Sequence, residues 1–258
     1  MNLAICAIFR NEALYLREWI EFHRLVGVDR FFLYNNRSED DYHRVLDTYI
    51  AAGVVVLTEW PHFPPCQVEA YQHYIDTQPR VADWTAFLDI DEFLWSPRFK
   101  TIPEALDSLP QHSGAVGVNW MCFGSSSHKE WHDAPVIERF TWRPHAGIPS
   151  NHYIKSIVRM DQHFVIADPH CAQVPTYSPS GKLILGSHCA DHEHDLLRIN
   201  HYGSKSRQEW VTRQRLGKPC SNSAPSPERC YEEIQARDVE DCEIQRYLPQ
   251  LKERLALG

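Results

Sequence analysis

Over roughly the first ninety residues the hydrophobic pattern switches repeatedly between two periods, and this switching is what most limits the fold. Leu3 to Phe9 is a continuous apolar run, as in a strand buried on both faces of a parallel sheet. Asn11 to Val26 then carries apolar residues at helical spacing (Leu16, Trp19, Ile20, Val26), and Gly27 closes it as a helix-terminating glycine. Phe31–Tyr34 is a second strand, Asp41–Ala52 a second helix closed by Gly53, and Val54–Leu57 a third strand. The pattern predicts a third helix from Pro65, with proline in its first turn, to about Val81, then a fourth strand from Trp84 to Asp89. Such β-α alternation implies a mostly parallel sheet with right-handed crossovers and helices on both faces.

Ligands of such sheets bind beyond the carboxyl ends of the strands. Three polar clusters fall there: Arg10-Asn11-Glu12, Asn35-Asn36-Arg37-Ser38 and Asp89-Ile90-Asp91-Glu92. After Leu94 the pattern changes to a short helix at Pro103–Leu109 and four strand-like runs. These runs are Ala115–Phe123, Val136–Trp142, Ile154–Met160 and Phe164–Ala167, and they read as a mixed or antiparallel half. From Arg207 the chain is helical, interrupted by a Ser- and Pro-rich stretch at Cys220–Pro227. The expected organisation is one domain over residues 1–217, with a nucleotide-binding half at 1–95 and an acceptor half at 96–217, followed by a helical extension at 218–258.

Charge and cysteine usage exclude several classes. A net charge of −8 argues against nucleic acid as the main partner, since phosphate-backbone binding needs a concentrated basic surface. None of the eight cysteines forms a C-x-x-C pair, and the apolar start stops after Phe9, too short for a secretory leader. Reduced thiols and a cytoplasmic location are therefore expected. No stretch approaches the ~20 apolar residues needed to span a bilayer. The absence of a signal anchor fits a bacterial cytoplasmic enzyme or a domain trimmed from a longer chain.

The chemistry centres on Phe87-Leu88-Asp89-Ile90-Asp91-Glu92-Phe93-Leu94. In a strand, alternate side chains share a face, so Asp89 and Asp91 are expected to point the same way. Two carboxylates so placed can hold one hard divalent cation, Mn²⁺ or Mg²⁺, which would bridge to substrate phosphates. A solvated acidic turn is the plain alternative, but three acids between two apolar runs disfavour it.

Here the sequence resembles glycosyltransferase family 92. The resemblance is carried by Arg10-Asn11-Glu12 with Tyr15, Glu18-Trp19, His23 and Gly27-Val28, by Tyr34-Asn35-Asn36 with Ser38 and Asp40, and by the Leu-Asp-Ile-Asp-Glu-Phe block. It continues through Asn119-Trp120, Phe123-Gly124-Ser125-Ser126, Lys155, His170, His201-Tyr202 and Lys205-Ser206. Where family members often carry a glycine, this chain has Ser127. The resemblance implies an α/β GT-A fold with a parallel-rich sheet and a helical tail, a nucleotide-sugar donor such as a UDP-sugar, and an inverting transfer, often of galactose.

On that basis Asp91, with Asp89 alongside, would hold the cation, and His201 is the candidate third ligand. Lys155, Lys205, Arg207 and Arg215 are candidates for the diphosphate, Ala7, Arg10 and Glu12 for the base and ribose, and Asn35 or Asn36 for the same nucleoside. The loop after Gly124 offers Glu130 and Asp133, with His128 beside them, as the general base that an inverting transfer requires. The acceptor would be a glycan or lipid-linked glycan, as in surface polysaccharide or lipopolysaccharide synthesis. Two other readings stay open. One is an aspartate-dependent phosphatase; the other is a non-catalytic nucleotide-sugar module or a zinc module built on His188–Asp195.

Overall fold

A computed structural model describes residues 1–78, 82–109, 114–216 and 228–257. The alternating N-terminal region folds as β1 (Leu3–Phe9), α1 (Ala13–Leu25), β2 (Arg30–Asn35), α2 (Tyr42–Ala51), β3 (Val55–Glu59), α3 (Gln67–Thr77) and β4 (Trp84–Phe87). A turn leads to β5 (Glu92–Trp95), α4 (Ile102–Asp107) and β6 (Ala115–Cys122). Next come α5 (Val136–Arg139), β7 (Trp142–Arg143), β8 (Ile154–Arg159), β9 (Thr176–Tyr177), β10 (Leu183–Ile184) and β11 (Arg198–His201). The C-terminal part holds α6 (Arg207–Leu216), α7 (Glu228–Glu233), β12 (Val239–Glu240) and α8 (Leu248–Ala256).

The main sheet runs β10-β9-β6-β8-β4-β1-β2-β3. The strands β3, β2, β1 and β4 are mutually parallel, and β8 is antiparallel to both β4 and β6. Alternation along β1 feeds two cores. Leu3, Ile5, Ala7 and Phe9 pack with Leu16, Trp19 and Leu46 of α1 and α2, while Ala4, Cys6 and Ile8 pack with Ala70, Tyr71 and Tyr74 of α3. Both faces of the strand are therefore dry, which is why its sequence is apolar without interruption.

Short β11 joins the two expected halves, pairing antiparallel with β5 and parallel with β6. In this register His201 stands opposite Glu92 and next to the acidic turn. His23 locks the same region from behind: its Nε2 accepts the Leu94 amide at 3.1 Å and its Nδ1 donates to the Trp19 carbonyl at 2.8 Å. Burial pushes its pKa down to about 3, so the ring is a neutral fastener between α1 and β5. At the far end α8 packs on α1, so the C-terminal helix shares the core of the N-terminal half. The expected boundary at 217–218 and the Cys220–Pro227 stretch lie outside the described residues.

Four local expectations are corrected. The third helix begins at Gln67, with Cys66 at its N-cap position, so Pro65 precedes it; it ends at Thr77, and Val81 lies outside the described residues. The fourth strand ends at Phe87, and Asp89 and Asp91 lie in the turn before β5. Val136–Trp142 is one helical turn followed by a two-residue strand, because buried Val136, Ile137 and Phe140 lie at helical spacing. Phe164–Ala167 forms no named strand; a single bridge joins Ile166 to Ala172.

Candidate active site

A cavity of about 480 Å³ opens at the carboxyl ends of the central strands, where a doubly wound sheet places its ligands. Its walls come from the loop after β1 (Arg10, Glu12), the turn after β4 (Asp89), β6 (Trp120), the end of β11 (His201) and the segment into α6 (Lys205, Arg213).

The acidic turn is ordered by its own residues. Glu92, fully buried, accepts the Asp89 amide at 2.9 Å. Asp89 receives the Gln67 amide on Oδ1 at 2.6 Å and the Lys155 ammonium on Oδ2 at 3.0 Å. Lys155, buried on β8, also lies 3.6 Å from Glu92. Burial alone would lower the lysine's pKa, but Asp89 and Glu92 outweigh it and hold the ammonium charged. Burial pushes the Glu92 carboxyl well up, because one lysine cannot compensate two neighbouring acids.

Asp91 faces a different set of partners. Its Oδ2 lies 3.5 Å from His201 Nε2 and in direct contact with Arg213 Nη1, which also donates to the Gly203 carbonyl at 3.1 Å. Its Oδ1 is buried without a partner. Burial would raise this carboxyl; Arg213 and then His201 hold it well below the ordinary range. Gly203 permits the approach, since a Cβ there would sit 2.9 Å from the His201 ring. Strand alternation therefore does not unite the two aspartates, and each carboxylate has its own protein cation.

An oxygen of Asp91 with no partner and a nearby imidazole nitrogen suit a hard or borderline divalent ion. Among the described residues no three His, Cys, Asp or Glu side chains form a complete cage. Substrate phosphate and water would have to complete the coordination of such an ion.

Other expected residues divide clearly by position. Arg10, Glu12, Asp89, His201 and Lys205 line the cavity. Arg10 Nε and Glu12 Oε2 are buried without partners, and burial raises the Glu12 pKa. Lys205 holds φ +49° and lays its ammonium 4.0 Å from the Tyr15 ring centroid. Lys155 acts from beneath the cavity through Asp89. Ala7, Asn35 and Asn36 do not line it: Ala7 is core, the Asn35 amide donates to Glu59 at 2.7 Å, and Asn36 donates to the carbonyls of Trp60 and His62. The first helical amide of α1, Ala13, donates to the Asp40 carboxylate at 2.8 Å.

Glu130 and Asp133 are exposed and outside the cavity, because the loop turns Trp131 inward between them. Arg215 is also exposed and outside, and Arg207 pairs with Glu228 at 2.7 Å. The α6 residues that do line the cavity are Gln208, Glu209, Thr212 and Arg213, one helical stripe. That stripe was the available signal for Arg213, which sequence reasoning missed. Gln67, Trp120, Trp131 and Glu209 were also missed as lining groups. Glu209 is fixed by a two-armed pair with buried Arg139 (3.0 and 3.1 Å) and by the Tyr15 hydroxyl at 2.7 Å. Burial would raise its carboxyl, but the Arg139 and Ser206 hydrogen bonds bring it down to about 2.

The profile of glycosyltransferase family 92 matches residues 2–202. The chain belongs to that family. A family 92 protein of Oryza sativa subsp. japonica is 33% identical over 163 residues, 62% of this chain and 27% of the rice protein. One from Ricinus communis is 30% identical over 162 residues, 61% of this chain and 28% of that protein. The family 92 region here thus spans little more than a quarter of the curated relatives it matches. Among solved structures, S. aureus TarS in complex with UDP-GlcNAc aligns with 98% of this chain and 72% of its own, at 13% identity and a TM-score of 0.46. Mycobacterium tuberculosis glucosyl-3-phosphoglycerate synthase aligns with 62% and 57%, at 15% identity and a TM-score of 0.35. The α/β GT-A architecture expected of a family 92 chain is the one described above, a parallel β3-β2-β1-β4 core extended by β8 and β6. No described helix is long and apolar enough to cross a membrane.

Proposed function

We propose that this chain transfers a hexose from a nucleoside-diphosphate donor, UDP-galactose in the first instance, to a glycan hydroxyl with inversion. The observation that carries this is the convergence of His201, Arg213 and Lys205 on one cavity, the first two held from beneath by the buried carboxylate of Asp91. Asp91 and His201 would hold Mn²⁺ or Mg²⁺, whose charge offsets that developing on the leaving diphosphate.

The chain's own groups do the rest. Arg213 and Lys205 are the cations that can reach the phosphates, in place of Arg215. Arg10 offers an unpartnered donor and Glu12 an unpartnered acceptor to the nucleoside side. Asp89, steadied by Lys155 and Gln67, faces the cavity as a rigid acceptor for a ribose or sugar hydroxyl. For the general base, Glu209 is consumed by Arg139 and Asp89 by Lys155, whereas Glu12 and His170 line the cavity without an ion pair among the described residues. His170 Nδ1 bonds the Ile154 carbonyl at 3.1 Å, which directs the lone pair to Nε2.

The acceptor we favour is a bacterial surface glycan or its lipid-linked precursor, which a deletion strain lacking that glycan would identify. The aspartate-phosphatase reading is weakened because both Asp89 oxygens are engaged and the motif follows the fourth strand, not the first. The deciding experiment is calorimetric titration with UDP, GDP, ADP and CDP, with and without Mn²⁺, on the wild type and Asp91→Ala. Mn²⁺-dependent UDP binding that vanishes in the variant supports the assignment; no binding of any nucleotide would falsify it.

A further inference from the structure

The mouth of the cavity is built unlike its floor. Trp131 is 41% exposed and Leu14 72% exposed, yet both line the cavity. A large exposed indole on a loose loop would simply collapse onto the nearest apolar surface. The Trp131 loop is not loose. The Trp131 amide donates to Gln208 Oε1 at 2.9 Å, the Gln208 amide to the Lys129 carbonyl at 2.9 Å, and the Arg207 amide to the His128 carbonyl at 3.2 Å. Two further bonds hold the loop's base, from the His128 amide to the Ser125 carbonyl at 2.8 Å and between His128 Nε2 and the Arg139 carbonyl at 3.0 Å. Ser126 and Ser127 both adopt positive φ (50° and 68°), and Ser126 Oγ accepts the amides of Thr141 and Trp142. Strained backbone held this firmly, carrying an exposed aromatic ring, marks a presented surface.

Polar groups frame the ring. Gln208 uses its carbonyl oxygen on the Trp131 amide, and its amide nitrogen makes no hydrogen bond among the described residues. Lys205 and Thr212 line the same wall. A fixed aromatic face bordered by amide, ammonium and hydroxyl groups fits a pyranose, whose ring carries an apolar C–H face and a rim of hydroxyls. His201 and Arg213, the groups paired with buried Asp91, are the ones assigned above to the donor's cation and phosphates, so the Trp131 side is left for the second substrate.

We propose that Trp131, with Leu14 and Gln208, is the platform on which the terminal pyranose of the acceptor glycan stacks. The assignment rests on the transferase reading above, which supplies the need for an acceptor. It makes Trp131 a positioning residue: the ring sets where the acceptor hydroxyl stands and takes no part in bond making.

The test uses protein labelled with 5-fluorotryptophan and saturated with UDP and Mn²⁺, with Trp131→Phe identifying the ¹⁹F signal of position 131. Methyl β-galactopyranoside, methyl α-glucopyranoside and the methyl β-glycoside of N-acetylglucosamine are added in turn. At least one is expected to shift the Trp131 resonance. Trp131→Ala is expected to weaken that glycoside about tenfold, the size of one aromatic contact at about 1.4 kcal/mol per decade, and Trp131→Phe to restore most of it. UDP affinity is expected to stay the same in both variants, which also reports that they fold. A glycoside that binds Trp131→Ala as tightly as wild type overturns the platform, as does the absence of any shift at Trp131. Failure of the wild type to bind UDP overturns the transferase reading, and the platform with it.

Discussion

Arg213 reaches from α6 to the carboxylate of Asp91, 122 positions earlier in the chain, and shares one oxygen of that carboxylate with His201. The guanidinium therefore stands where the charge of a diphosphate and that of a cation would both be read. Replacing it removes a charge-assisted contact worth roughly 1.5–3 kcal/mol. Arg213→Met should weaken Mn²⁺-dependent UDP binding about 10- to 100-fold by calorimetry. Arg215→Met, on the exposed side of the helix, should change it less than about twofold, as surface substitutions usually do.

The contrast between those two arginines shows where sequence reading stopped. The β-α alternation is plain because β1, β4 and most of β2 are buried on both faces, so burial is written into their residues as apolar runs. His201 is visible in the strand-like block Leu197–Tyr202, which carries it toward a rim. Choosing Arg213 over Arg215 required phasing α6, whose apolar side is thin, with Trp210 its one buried hydrophobic residue among those described. Lys155 was visible as a charge inside a strand, but nothing in the sequence says that it serves Asp89 from below. Glu130 and Asp133 stand outside the cavity for a different reason: loop acids carry no periodicity, and only coordinates show which neighbour lines it. Val136–Trp142 reads as a strand from sequence because a single helical turn is too short to reveal its period.

Lys155 holds two acids at once, and its loss should be felt in stability first. Lys155→Met leaves the half-buried Asp89 carboxylate without its cation beside buried Glu92, a cost of about 3 kcal/mol. At about 2–4 °C per kcal/mol for a chain of this size, Tm should fall by about 10 °C in differential scanning calorimetry. Adding Asp89→Asn should recover part of that fall. A single variant as stable as wild type would show that the acids are neutral without the lysine.

Glu18 accepts the amides of Val136 at 2.8 Å and Ile137 at 3.3 Å, tying α1 to the start of α5. Burial raises its pKa to about 7, against the lowering effect of those amides. The folded state therefore prefers the neutral carboxyl. The stability it contributes is full below the ordinary carboxyl range and is lost as pH rises through about 7. Glu18→Gln, always neutral, should gain on wild type between pH 5 and pH 8 by on the order of 3 kcal/mol. Thermal melts across that range would show it, and a difference that stays flat with pH would remove the raised pKa.

The base assignment can be settled by turnover with water as acceptor, following UDP release from UDP-galactose. Glu130→Gln and Asp133→Asn should each retain activity within about twofold, as for surface changes away from the site. His170→Asn should lower kcat by about 10²–10⁴ while UDP affinity holds, or else Glu12→Gln should do so with UDP binding weakened as well, since Glu12 also faces the nucleoside. A comparable loss in Glu130→Gln or Asp133→Asn would return the role to the exposed loop.

The seam made by β11 bears on how the protein is born. Translation delivers the parallel strands and the acidic turn first, while the imidazole and guanidinium that flank Asp91 arrive more than a hundred residues later. A nascent chain that has emerged only through β5 carries a carboxylate meant for burial and no partner to bury it with. The N-terminal half must then wait, its sheet open on the side where β8 will insert. The nucleotide proposed above can therefore stabilise this fold only once the chain through Arg213 has emerged, which makes it a guardian of the folded domain and not a guide for the growing one.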